Sequence, residues 1–250
     1  MRFQVLVVFF SAVRRSTPER IIRDMKLNNI SKSVVLQLNT PECDSSEDIA
    51  EVIPKYDELI TFGNIHPYDR ELSLKIERNL NFGVKGWKIA PHVIDIDIDD
   101  AKTIQLLKLL AQTKLPIISC SGLAFPENRI KKLPGKIRKN LETQNINKFY
   151  KVLKEIPNVP FIFAHAGMYQ TKELVKLMKL YPNTYVEIST QPPAKIRLLL
   201  DEIGSERILY GTDYPAFNHS FSIVSVLRAT KDETERKNIF YNNAKKLLKI

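Results

Sequence analysis

The chain has 250 residues, 44% hydrophobic and 26% charged, with a net charge of +10. That length and balance suit a globular α/β protein, and no apolar run reaches the roughly 18 residues of a membrane-spanning helix. Its two cysteines, Cys43 and Cys120, lie far apart, which argues against a disulfide framework and suits a reducing cytoplasm.

Taken in order, residues 2–10 are expected as a first strand, with an unbroken apolar run at 5–10 of the kind a strand buried on both faces shows. The segment is short, lacks a small-residue cleavage site and is followed by Arg14 and Arg15, so a first core strand is expected rather than a signal peptide. Ser16, Thr17, Pro18 and Glu19 predict a helix start, with the helix running to about Asn29. A second strand is expected at 33–38, a poorer helix at 45–56 and a third strand at 59–63, followed by His66 and Pro67. Asp69 is expected to cap a helix to about Asn81. A fourth strand at 84–90 is closed by Pro91 and His92, and a strong helix follows at 99–113.

The fifth strand, 115–120, ends at Cys120. Residues 123–143 are expected as a long basic loop, since they hold two prolines and the run Lys131-Lys-Leu-Pro-Gly-Lys-Ile-Arg-Lys139. Helix 145–156, strand 160–165, helix 170–181, strand 184–189, helix 195–203 and strand 207–211 follow, and two helices at 221–229 and 233–248 finish the chain. Strand starts recur mostly every 23 to 31 residues. Eight short apolar strands, each followed by a helix, in ~250 residues predict an α/β fold: one (β/α)8 TIM barrel over residues 1–250 with extra C-terminal helices. A doubly wound open sheet is the main rival. It would carry a glycine-rich phosphate turn after the first strand, and residues 9–15 hold no glycine.

The positive charge admits a nucleic-acid partner, and residues 131–139 would be its footprint. The lysines are otherwise spread over most helices, as on solvated helix faces, so nucleic acid is not the expected partner.

In a barrel the C-terminal strand tips share one rim, where chemistry is done. The polar residues expected there are His66, Lys88, His92, Cys120, His165, Glu187, Ser189 and Asp213, with His219 close behind. His165 sits in Phe161-Ile-Phe-Ala-His-Ala-Gly167 with small neighbours, placed to ligate a metal or polarise a substrate oxygen. Cys120 reads as a zinc thiolate, a nucleophile or a small residue filling the barrel top. His66 and His92, each beside a proline, read as ligands or as loop residues. Lys88 either faces inward to bind a carboxylate or points outward. Glu187 reads as a structural partner for Lys88 or Arg207. Asp213, in Arg207-Ile-Leu-Tyr-Gly-Thr-Asp-Tyr-Pro215, is a carboxylate at a strand tip that packing does not explain.

Together with Gly83-Val-Lys-Gly-Trp-Lys-Ile-Ala-Pro91, Leu115-Pro-Ile-Ile-Ser-Cys-Ser-Gly122, Tyr185-Val-Glu-Ile-Ser189 and Asn242-Asn-Ala-Lys-Lys-Leu-Leu248, these segments resemble the amidohydrolase-related barrel family of metal-dependent hydrolases and nonoxidative decarboxylases. The resemblance implies a divalent metal, usually zinc. It would be held by a His-x-His pair on the first strand, histidines on the fifth and sixth, and the aspartate on the eighth, which doubles as general base. His165 and Asp213 match the last two positions. The chain departs from the pattern twice: residues 1–15 hold no histidine, and Cys120 stands at the strand-five position. The metal ligands expected are therefore His165, Asp213, Cys120, His66 and His92, and the catalytic residues Asp213, His165 and Lys88. The function expected is hydrolysis of a small anionic organic molecule. A decarboxylase-like lyase, or a barrel that lost its metal and binds a ligand, are the alternatives. The resemblance is compatible with a homodimer, and no membrane partner is expected.

Overall fold

The computed structural model describes residues 17–38 and 44–250. The strand expected at 2–10, the Ser16 cap and Cys43 lie outside the described residues. Helix α1, Pro18–Leu27, begins where Thr17 accepts a hydrogen bond from the Arg20 N–H and Pro18 supplies a helical φ. Strand β1, Ser33–Leu36, is followed by α2, Ser46–Val52, and β2, Leu59–Phe62. Then come α3 (Leu72–Asn81), β3 (Trp87–Ile89), the short α4 (Pro91–Ile94) and α5 (Ala101–Gln112), which is capped by Asp100. Strand β4 is Ile117–Cys120.

Residues 123–143 are not a bare loop. They hold α6, Glu127–Ile130, and α7, Gly135–Glu142. The two prolines read as breakers stand at the N-caps: Pro126 (φ −54°, ψ 142°) and Pro134 (φ −52°, ψ 143°) are extended residues from which each helix starts. The Asn140 amide on α7 donates to the His92 carbonyl and to Asp95, which fastens this segment over α4.

The chain continues with α8 (Phe149–Glu155), β5 (Phe161–Ala164), α9 (Thr171–Leu180), β6 (Thr184–Glu187), α10 (Pro193–Ile203) and the two-residue β7 (Ile208–Leu209). Helices α11 (His219–Ala229), α12 (Glu233–Lys237) and α13 (Asn243–Leu248) complete it. The single helix expected at 233–248 is divided by a π-helical turn at Asn238–Asn242. Asp69, expected as the cap of α3, instead accepts from the Glu71 N–H and pairs with Lys75 at 2.5 Å. No helix among the described residues is long and apolar enough to cross a membrane.

All described strand pairs are parallel and follow sequence order: β1 with β2, then β3-β4-β5-β6-β7, the two groups joined by a bridge from Gly63 to Trp87. Parallel strands returned by helices, neighbour to neighbour, make the (β/α)8 barrel. Alternation along the strands divides the core. Trp87, Ile89, Ile117, Phe161, Phe163, Val186 and Ile208 face the helices, where Phe149 packs its ring 5.8 and 5.2 Å from Phe161 and Phe163. Phe62, Ile118, Ile162, Ala164 and Leu209 pack on the other, interior face, against Leu36, Tyr185 and, from α13, Ala244, Leu247 and Leu248. Burying each large apolar side chain is worth ~1.5–3 kcal/mol, which is what holds the strands' register.

At Gly122 (φ +82°) a Cβ would stand 1.9 Å from the Gly167 carbonyl oxygen, so the loops after β4 and β5 touch backbone to backbone. Gly122→Ala is expected to lower unfolding free energy by more than ~2 kcal/mol in urea titrations, through clash and left-handed strain together. Gly135→Ala, whose Cβ meets nothing within 4 Å, should leave stability unchanged or raise it by ~0.4–1 kcal/mol. Equal costs at the two sites would show that the loop contact is not what limits Gly122.

Candidate active site at the strand tips

Because Trp87 and Ile89 face the helix layer, Lys88 between them must face the barrel interior, and it is buried. Lys88 pairs with Ile118 in register, so Cys120, two residues further along β4, lies on the same face nearer the rim. The Lys88 ammonium donates to Cys120 Sγ at 3.1 Å. No carboxylate lies within ion-pair distance of Lys88 among the described residues. A buried ammonium needs a counter-charge, and the sulfur is what it has. Burial pushes the Cys120 thiol up, but the charge of Lys88 and hydrogen bonds with His165 and His92 outweigh it and hold the thiol well below its ordinary value.

Cys120 pairs with Ala164 across to β5, which sets the next residue, His165, beside the sulfur. The backbone here is strained: His165, Ala166, Gly167 and Met168 all have positive φ, at 59°, 48°, 69° and 48°. Such conformations persist only where surroundings over-determine them. Glu187 Oε2 accepts the His165 N–H at 3.1 Å, and the Thr171 hydroxyl donates to the carbonyls of Ala166 and Met168. The same Glu187 carboxylate accepts the Ser189 N–H at 2.5 Å and the Ser189 hydroxyl at 2.9 Å. Since that hydroxyl donates to Glu187, its lone pair accepts from His165 Nδ1 at 2.7 Å. Nδ1 then carries a proton, and Nε2 is the ring nitrogen left for the sulfur. Gly211 on β7's exit is required by this carboxylate, since a Cβ would lie 1.9 Å from Glu187 Oε1.

Glu187 therefore braces His165 and Ser189 and does not pair with Lys88 or Arg207, as the sequence suggested. Arg207 donates instead to the Met178 carbonyl. The reason is register: Glu187 and Ser189 share an inward face at the tip of β6, beside the β5 exit where His165 sits.

His92 reaches the cluster from α4. Its Nδ1 donates to Gln144 Oε1 at 2.9 Å, since the Gln144 amide donates to the Gly122 carbonyl. Gln144, just past the segment expected as loop, is a site residue that the sequence reading misses. His66 is half-buried and accepts from the Tyr68 N–H at 3.3 Å. Asp213 is exposed at φ 56°, its carbonyl accepting from Ala216 and Phe217, and no hydrogen bond joins its carboxylate to the cluster. The structure thus brings Lys88, Cys120, His165 and His92 together, while Asp213 stands exposed at the exit of β7. His219 lies elsewhere, buried with both ring nitrogens unpartnered and stacked on Tyr214 at 4.6 Å.

Among the described residues, no three His, Cys, Asp or Glu side chains converge to hold a metal ion. Residues 1–16 hold none of these residue types. Among the described residues the donor set therefore does not fit a catalytic metal centre with three protein ligands.

The Amidohydrolase family model matches residues 27–250. The chain belongs to the amidohydrolase family. Members of that family are enzymes, and the (β/α)8 barrel is their fold. Solved structures agree on the fold. An uncharacterised TIM-barrel protein from Bordetella bronchiseptica superposes with a TM-score of 0.75 at 18% identity, over 95% of this chain and 84% of that one. A 2,6-dihydroxybenzoate decarboxylase complexed with 2,6-dihydroxybenzoate gives 0.74 at 16% identity, covering 94% and 89%. A dihydroxybenzoic acid decarboxylase from a Polaromonas species, with bound manganese and the inhibitor 2-nitroresorcinol, gives 0.74 at 19% identity, covering 94% and 86%. No curated protein sequence matches the chain.

Burial opposes the charged form of His165, but Cys120 and Glu187 raise its pKa above the ordinary 6.5. A histidine whose folded value lies above its unfolded one contributes stability in full below pH 6.5, and loses it as pH rises through the folded value. NMR titration of the imidazoles should find His165 changing charge above pH 6.5 in the wild type. The midpoint should fall in Cys120→Ala, where burial acts without the sulfur. An unchanged midpoint in the variant would mean that the sulfur carries no negative charge.

Proposed function

We propose that this chain is a hydrolytic enzyme of the amidohydrolase family that acts on a small anionic organic molecule at the rim of a single barrel spanning residues 1–250. One observation carries the reading: the buried Lys88 ammonium, with no carboxylate partner among the described residues, facing the barrel mouth beside Cys120 and His165. Packing gains nothing from such a charge, whereas binding an anion does. Lys88 binds the substrate's carboxylate and His165 moves the proton to the leaving group. Asp213, at the exit of β7 next to β6, takes the proton of the attacking water.

The zinc expected from the resemblance would need Cys120, His165 and one more ligand from Asp213, His66 or His92. Cys120, His165 and His92 are neighbours, but no three such side chains among the described residues are arranged to hold a metal ion, so no step is routed through a metal. A decarboxylase reading draws on the family resemblance and on the solved neighbours, whose identity to this chain carries no more than the fold.

A panel of esters and amides of small dicarboxylic acids tests the reading. Lys88→Met should cost about ten- to hundredfold in kcat/KM, mostly through KM, as expected for one charged hydrogen bond. Asp213→Asn should lower kcat by about a hundredfold or more with KM little changed. Dialysis against EDTA should leave the rate intact. Loss of activity restored by manganese or zinc would mean that ligands absent from the cluster complete a metal site. Hydrolysis indifferent to both substitutions would sink the assignment of the site.

A further inference from the structure

We propose that hydrolysis at this site runs through a covalent acyl-enzyme on Cys120, with His165 as its proton carrier and Ser189 and Glu187 as residues that position His165. The inference rests on the rim-site reading above and adds a nucleophile that the family resemblance does not supply. It comes from a chain of placements and contacts: His165 set beside Cys120 by the β4–β5 register, His165 Nδ1 to Ser189 Oγ at 2.7 Å, and Ser189 Oγ to Glu187 Oε2 at 2.9 Å. A nucleophile beside a base, with that base oriented in turn by a further group, is the arrangement that nucleophilic catalysis requires. Here a serine hydroxyl is inserted between the imidazole and the carboxylate. It fixes the ring's tautomer with Nε2 free for the sulfur, and the carboxylate also holds the His165 backbone through its N–H. Lys88 at 3.1 Å completes the arrangement by balancing the sulfur's charge from the other side.

The steps balance without any further reagent. Cys120 Sγ attacks the substrate's carbonyl carbon and a C–S bond forms. The carbonyl electron pair collapses back and breaks the bond to the leaving alcohol or amine, which takes the proton from His165 Nε2. Water then attacks the thioester and its proton passes to Asp213. The C–S bond breaks, returning the electron pair to sulfur and releasing the carboxylic acid. Asp213 is exposed and gives its proton to solvent, from which His165 regains one.

The probes are 4-nitrophenyl acetate, which is neutral, and mono-4-nitrophenyl succinate, which carries a carboxylate. Rapid mixing should show a burst of about one 4-nitrophenolate per chain, and mass spectrometry of acid-quenched protein should place the acyl group on the peptide containing Cys120. Cys120→Ala, checked as folded by circular dichroism, should lose burst and adduct together. Ser189→Ala should slow the burst about ten- to hundredfold without weakening saturation by the ester, and Ser189→Thr, which keeps the hydroxyl, should restore most of it. Loss without rescue by threonine would remove Ser189 and Glu187 from the positioning role. Acyl groups on lysines alone, no burst from the folded wild type, or steady turnover retained in Cys120→Ala would overturn the covalent step. If Cys120→Ala turns over the succinate ester and Lys88→Met does not, the rim-site reading stands and the covalent step alone falls. If Cys120 is acylated equally fast by both esters, the covalent step stands and the anionic substrate falls.

Discussion

A buried ammonium group needs a partner, and the one on Lys88 has settled against a sulfur. Most of the rim can be understood from that contact. Alternation along β3 forces Lys88 inward because Trp87 and Ile89 are committed to the helix layer. The parallel register of β3 and β4 then delivers Cys120 to the ammonium. A neutral thiol would leave the charge uncompensated at a cost of several kcal/mol, so the thiol's acidity rises until it shares the burden. The same sulfur raises the His165 pKa against the pull of burial. Two buried side chains thus change one another's protonation, and the strand register sets how close they come.

Glu187 does the corresponding work for the backbone. Four successive residues after β5 adopt positive φ, and three of them, His165, Ala166 and Met168, are not glycine, each at a cost of order 1–3 kcal/mol. One carboxylate holds the first of them by its N–H and holds Ser189 by both N–H and hydroxyl. Room for that carboxylate exists only because residue 211 has no side chain. Glycine at the exit of β7, glutamate at the tip of β6 and histidine at the exit of β5 are thus one device spread over three strands. Its effect is to aim an imidazole, which needs positioning to a fraction of an ångström to matter in catalysis.

The strands and the rim were legible in the sequence because both follow from short-range rules. Apolar runs punctuated by glycine and proline mark buried parallel strands, and a polar residue ending such a run marks a tip. Lys88, Cys120 and His165 were found that way. Two prolines make residues 123–143 read as loop, while in the fold Pro126 and Pro134 are the extended residues from which α6 and α7 start. Glu187 was assigned to a cation on charge alone. Its true partners are a backbone N–H and a serine two residues on, and the period of two along β6 was the signal that could have paired them. Gln144 had no such signal, since its place beside His92 depends on how α7 docks over α4.

The departures from the family's metal pattern and the composition of the cluster bear on one another. Cys120 stands at the position where the resemblance expects a histidine, and residues 1–16 hold no side chain of the usual ligand types. With those donors gone, a cation is still required near the sulfur, and Lys88 supplies it as a fixed ammonium hydrogen-bonded at 3.1 Å. A metal ion and an ammonium both stabilise an adjacent anion, but only the metal can bind water and lower its pKa. The ammonium can instead keep a sulfur ionised. Exchanging one for the other on an unchanged barrel would move the nucleophile from solvent to the protein, and the Glu187–Ser189–His165 chain is built where that exchange would need it.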